Sequence, residues 1–129
     1  MNRPDLFTYS EARQYLNDVL AFRKSKDEGF SVRKWAKEMD LGSHALLVYL
    51  LQGKRQIRIQ HLGFLLKGLK LTAQERLYLQ ALVQYEGAAS IEEKDLCRLW
   101  LSELNPTKEF EPRLLNEFKV VAEWYHMAI

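Results

Sequence analysis

Residues 30–58, FSVRKWAKEMDLGSHALLVYLLQGKRQIR, place a short helix, a tight turn, a second helix and a basic exit in immediate succession. Ser31 can cap a helix over Val32–Met39, and Ser43 a helix over His44–Gln52. Gly53 stands where a helix end takes a left-handed residue. Only Asp40-Leu41-Gly42 offers a turn between them, so the two helices must cross steeply rather than continue as one rod.

Helix signals follow on both sides. Thr8 and Glu11 have the Thr-x-x-Glu spacing of a capping box ahead of Tyr15, Leu16, Val19, Leu20 and Phe22, which predicts a first helix over 9–26. Leu62, Leu65, Leu66 and Leu69 share one face of a fourth helix over 59–70. Thr72/Glu75 and Ser90/Glu93 repeat the box spacing and open a fifth helix reaching Glu86 and a sixth reaching Glu103. Pro106 and Pro112 make 105–112 read as a linker. A terminal helix over 113–129 is expected beyond it, with Leu114, Leu115, Phe118, Val121, Ala122 and Trp124 needing a partner surface. The expected fold is all-α: a compact bundle over 1–86 and a helical extension over 87–129.

Length and composition narrow the function. A chain of 129 residues with 47% hydrophobic content suits one domain with an appendage and excludes disorder. No apolar run approaches the ~18 residues of a membrane span, and Met1–Asp5 lacks a secretion layout. A single cysteine, Cys97, excludes an internal disulfide and fits a reducing cytoplasm. The net charge of +2 is uneven. Residues 1–70 hold 13 Lys/Arg against 7 Asp/Glu, net +6, and residues 71–129 hold 6 against 10, net −4. A basic front half suits a polyanionic partner.

Residues 30–58 meet the requirements of a helix-turn-helix. Ala36 is the small residue on which the second helix crosses. Trp35, Met39, Leu41, Leu46 and Tyr49, joined by Val32, can hold both helices to a core. The turn places Asp40 where glycine is usual, a residue that tolerates the left-handed conformation. With the helices around it, this unit resembles the Xre, or lambda-repressor-like, DNA-binding domains, in which a basic step such as Gly53-Lys54-Arg55 follows the second helix. The order Phe7-x-Tyr9-x-x-Ala12-Arg13-x-Tyr15-Leu16, Phe30-Ser31-x-Arg33-x-x-Ala36, Gly53-Lys54-Arg55, Leu71-Thr72-x-x-Glu75 and Glu123-Trp124-Tyr125-His126-x-x-Ile129 is similar to a large paralogous family of bacterial transcriptional regulators. Members carry an Xre-like N-terminal domain and an uncharacterised helical C-terminal domain. In that family the Trp-Tyr-His segment begins the second domain and the chain runs on. The resemblance therefore leaves two expectations: an N-terminal part of a longer protein, or a short paralogue.

The site expectations follow. Arg33, Lys34 and Lys37 on the first helix of the motif, and Lys54, Arg55 and Arg58 on the exit, suit phosphates of double-stranded DNA. Ser43, His44, Ala45, Leu47, Val48 and Leu51 are expected on the outer face of the second helix. Ser43, His44 and the more distant Gln52 can meet base edges there, and Leu47 or Val48 a thymine methyl. Binding as a homodimer is expected, because one such domain rarely grips DNA tightly alone. The alternative is a protein-interaction module on the same scaffold, whose partner would meet Leu47, Val48 and Leu51 or the terminal Phe118, Val121 and Trp124. Arg23, Lys24 and Lys26 suit the dipole at a helix end. His44, His61 and His126 form no ligand-spaced pair, so no metal is expected. Cys97 lies among leucines without a base to activate it. With no phosphate loop or acidic pair either, no enzyme, cofactor or membrane role is expected.

Overall fold

The computed structural model describes residues 2–106, and they are all-helical. Six α-helices run in order: α1 Ala12–Lys26, α2 Val32–Glu38, α3 Ala45–Gln52, α4 Leu62–Gly68, α5 Ala73–Glu86 and α6 Ile91–Leu104. Short 3-10 turns at Leu6–Thr8 and Ile59–His61 precede α1 and α4. The terminal helix expected over 113–129, most of the linker before it, and the candidate residues Phe118, Val121 and Trp124 lie outside the described residues.

Capping side chains explain three of the six helix starts, those of α2, α5 and α6. Ser31 Oγ accepts the Lys34 N–H ahead of α2. Thr72 and Glu75 exchange both bonds of the capping box at α5, and Ser90 Oγ accepts the Glu93 N–H at α6. The box expected at Thr8/Glu11 does not form. Asp5 caps the 3-10 turn instead, and α1 starts three residues later than the spacing implied. Its free Ala12 N–H finds an acceptor far away, Glu86 Oε1 at the end of α5, at 2.7 Å.

The two helices of the central segment end in the same way. Leu41 N–H bonds the Ala36 carbonyl and Asp40 N–H the Lys37 carbonyl, with Asp40 left-handed at φ 58°. Lys54 N–H bonds the Tyr49 carbonyl and Gly53 N–H the Leu50 carbonyl, with Gly53 at φ 77°. Both are Schellman locks, which need a left-handed residue just past the helix.

Core packing joins these elements. α2 buries Trp35 and Ala36, and Met39 at its C-terminal cap, against α3 and α4. Gly68 lets α4 come this close. A Cβ there would lie 2.6 Å from Met39 Cε and 2.9 Å from Trp35 Nε1, and the indole N–H donates to the Gly68 carbonyl at 2.8 Å. α1 lays Tyr15, Leu16 and Val19 into the same core and packs on α3 and α5. Arg23 ties the end of α1 to α2. Its guanidinium reaches Glu38 through two bonds of 2.7 and 2.8 Å and stacks 4.0 Å above the Phe30 ring. That bond holds the Glu38 carboxyl below the usual carboxylate range.

α6 packs along α5 and adds Leu101 and Leu104 to the edge of the core. Gln74 on α5 donates to the Leu104 carbonyl, and the Asn105 amide crosses to the Phe7 carbonyl at 2.9 Å. Cys97 is half-buried on α6, and burial pushes its thiol up.

Candidate nucleic-acid interface

α3 sets the site, and its orientation corrects the sequence reading. Residues 46–51 are apolar without a break except Tyr49, so the run itself carries no helical phase. The core chooses Leu47, Leu50 and Leu51, which are 0%, 0% and 7% exposed. Leu47 and Leu51 were expected on the outer face and are core residues. Tyr49 was expected in the core and is 44% exposed. The reason is spacing: Leu47, Leu50 and Leu51 stand at i, i+3 and i+4 and face α1 as one stripe. Asn17 of α1 fixes that contact by donating to the Leu51 carbonyl at 2.9 Å.

The outer face therefore carries Ala45, Val48, Tyr49 and Gln52, with Val48 half-buried. His44, half-buried, is the residue before the first turn, and Ser43 Oγ accepts the Ala45 N–H at 3.1 Å. This face is more polar than the sequence implied. Gln52 offers an amide able to pair with a purine edge, and Tyr49 a hydroxyl.

The exit after α3 is a pinned loop bearing free cations. Ile57 is buried, Gln56 Nε2 donates to the Glu86 carbonyl at 3.3 Å, and Arg58 N–H donates to His61 Nδ1 at 2.9 Å. The His61 ring is 4% exposed and packs on Phe64. Burial, with Arg55 and Arg58 nearby, holds its pKa below the usual histidine value. Between these anchors Lys54, Arg55 and Arg58 are exposed, and Lys54 Nζ stands 6.0 Å above the Tyr49 ring.

No family model, curated protein or solved structure matches this chain.

On α2, Arg33, Lys34 and Lys37 are exposed opposite the buried Trp35–Ala36 face. Among the described residues, the six cations on α2 and the exit loop take part in no ion pair. The paired ones are elsewhere: Arg3 with Glu75, Arg23 with Glu38, Lys67 with Asp40 and Arg98 with Asp95. The structure brings Lys54, Arg55 and Arg58 together on one loop, while Arg33, Lys34 and Lys37 stand on a separate element.

Sequence reasoning missed Arg13. Its guanidinium lies across Gly53, which is distant in the chain, so local spacing gave no signal. The described residues hold no group of three or more His, Cys, Asp or Glu able to bind a metal, and no helix long and apolar enough to cross a membrane.

Proposed function

We propose that α2, its turn and α3 form a helix-turn-helix in an Xre-like domain, and that the protein is a bacterial transcriptional regulator binding double-stranded DNA. One observation carries this reading. Six exposed cations in no described ion pair, three on α2 and three on the loop after α3, stand on one continuous segment whose backbone is fixed by the core. Phosphate contact by Arg33, Lys34, Lys37, Lys54, Arg55 and Arg58 supplies most of the affinity, since flexible cations anchor a duplex without reading it. Ala45, Val48, Tyr49 and Gln52 meet the major groove, with Gln52 as the base-reading residue. The unit works as a dimer on two half-sites, which supplies the affinity that one domain lacks.

The test is fluorescence anisotropy on random-sequence duplex DNA over a range of salt. Binding at low salt should fall steeply as salt rises. Replacing Lys54 and Arg55 together by alanine should lower the slope of log affinity against log salt by about 1.8, the loss of two phosphate contacts. No binding by the wild-type chain at low salt would sink the reading.

A further inference from the structure

A notch opens where the end of α3 meets the start of α1 and the end of α5, with a volume of about 300 Å³. Its walls include Arg13, Gln52, Gly53, Arg55, Gln56 and Glu86. Two guanidiniums and two carboxamides thus converge on one recess. Arg13 is exposed and in no described ion pair, and its position is set by Gly53. A Cβ on that residue would lie 2.8 Å from Arg13 Nη1 and 3.2 Å from Cζ, so the absent side chain is what leaves the guanidinium its place.

Glu86 is the one acidic side chain on the wall, and it is already engaged. Its Oε1 accepts the Ala12 N–H at 2.7 Å. Its carboxyl is held above the usual range by burial, with Glu11 acting in the same direction and the Ala12 bond and Arg13 against it. Gln56 gives one amide N–H to the Glu86 carbonyl and has a second to offer.

We propose that this notch seats one phosphodiester of the DNA backbone, with Arg13 and Arg55 supplying the charge and Gln52 and Gln56 the neutral donors. A guanidinium presents paired N–H groups in the plane that two phosphate oxygens require. Arg13 is then a binding residue contributed by α1, outside the α2–α3 unit. The proposal rests on the DNA-binding reading above.

The same anisotropy experiment tests it with variants on the two arms of the notch. Arg13→Ala should lower the salt slope by about 0.9, one phosphate contact, and weaken low-salt binding about tenfold. Arg13→Lys should recover most of the slope but less of the affinity, since an ammonium cannot pair in the plane. Glu86→Gln keeps an acceptor for Ala12 and removes the opposing charge, so it should bind DNA more tightly. Arg76→Ala, an exposed cation on α5, should change neither quantity. Circular dichroism identifies any variant that fails to fold.

Unchanged slope and affinity in Arg13→Ala, alongside losses in the Lys54/Arg55 variant, would overturn the notch and leave DNA binding standing. If the wild-type chain binds no DNA, both fall. Titration with inorganic phosphate, followed at the Gly53 amide by NMR, then shows the source. A shift abolished by Arg13→Ala would reassign the notch to a free phosphate compound and overturn the backbone contact.

Discussion

His61 shows how one side chain holds the loop after α3. It is buried, its Nδ1 accepts the Arg58 N–H, and it carries Arg55 and Arg58 as electrostatic neighbours. A proton on Nδ1 would abolish that acceptor and add a third positive charge. Because the folded pKa lies below the unfolded value of 6.5, the unfolded chain takes the proton first as pH falls. The stability from neutral His61 is complete above that value and is lost as pH drops through it toward the folded pKa. Glu86 acts with the opposite sign, since its raised pKa lets the folded state bind a proton earlier. The clean comparison is therefore wild type against His61→Gln. Urea midpoints taken from about pH 7.5 down to about 5.5 should fall more in the wild type than in the variant. Parallel curves would show that the imidazole contributes nothing to pH sensitivity.

At the scale of elements, the α2–α3 unit turns on the left-handed Asp40. An L-residue in that conformation costs roughly 1–2 kcal/mol, less for aspartate. The Asp40–Lys67 ion pair at 3.2 Å is too exposed to offset this, with more than half of each side chain in water. Asp40→Gly should raise stability by about 0.5–1 kcal/mol, and Asp40→Val should lower it by about 1–2 kcal/mol. Thermal denaturation reads both, and a destabilised Asp40→Gly would contradict the strain. This element was largely legible. Ser31, Ala36, Asp40 and Gly53 each act locally, and local chemistry is what a sequence displays. The orientation of α3 was not, because an unbroken apolar run such as 46–51 lets the neighbours choose the buried stripe. For the same reason the candidate site was half legible. The exit cations follow from their own positions, whereas Arg13 depends on a glycine in another element.

At the scale of the molecule, the described residues are closed by contacts between parts distant in the chain. Asn105 reaches the Phe7 carbonyl across 98 residues, and Tyr78 lies beneath the same segment with its hydroxyl 3.2 Å from the Tyr9 carbonyl. Asn105 is 8% exposed, and removing its amide takes from the Phe7 carbonyl the shorter of its two bonds, leaving the Tyr78 hydroxyl at 3.4 Å. Asn105→Ala should cost about 0.5–1.5 kcal/mol in chemical denaturation. A loss no larger than that of a surface substitution would mean the closure is slack. The helical cap signals at α5 and α6 were readable in the sequence, but this closure was not, since neither Asn105 nor Phe7 advertises its partner.

The distance between Ala12 and Glu86 also has a consequence in time. The first helix is made early, yet the acceptor for its leading N–H is 74 residues further along the chain. On the ribosome, the start of α1 must wait for most of the domain to emerge. Until then that end frays, and the recess beside it has no third wall. Contacts of such long separation are slow to form. Assembly of the domain and assembly of the proposed phosphate notch are then completed by one late event, the arrival of the last turn of α5.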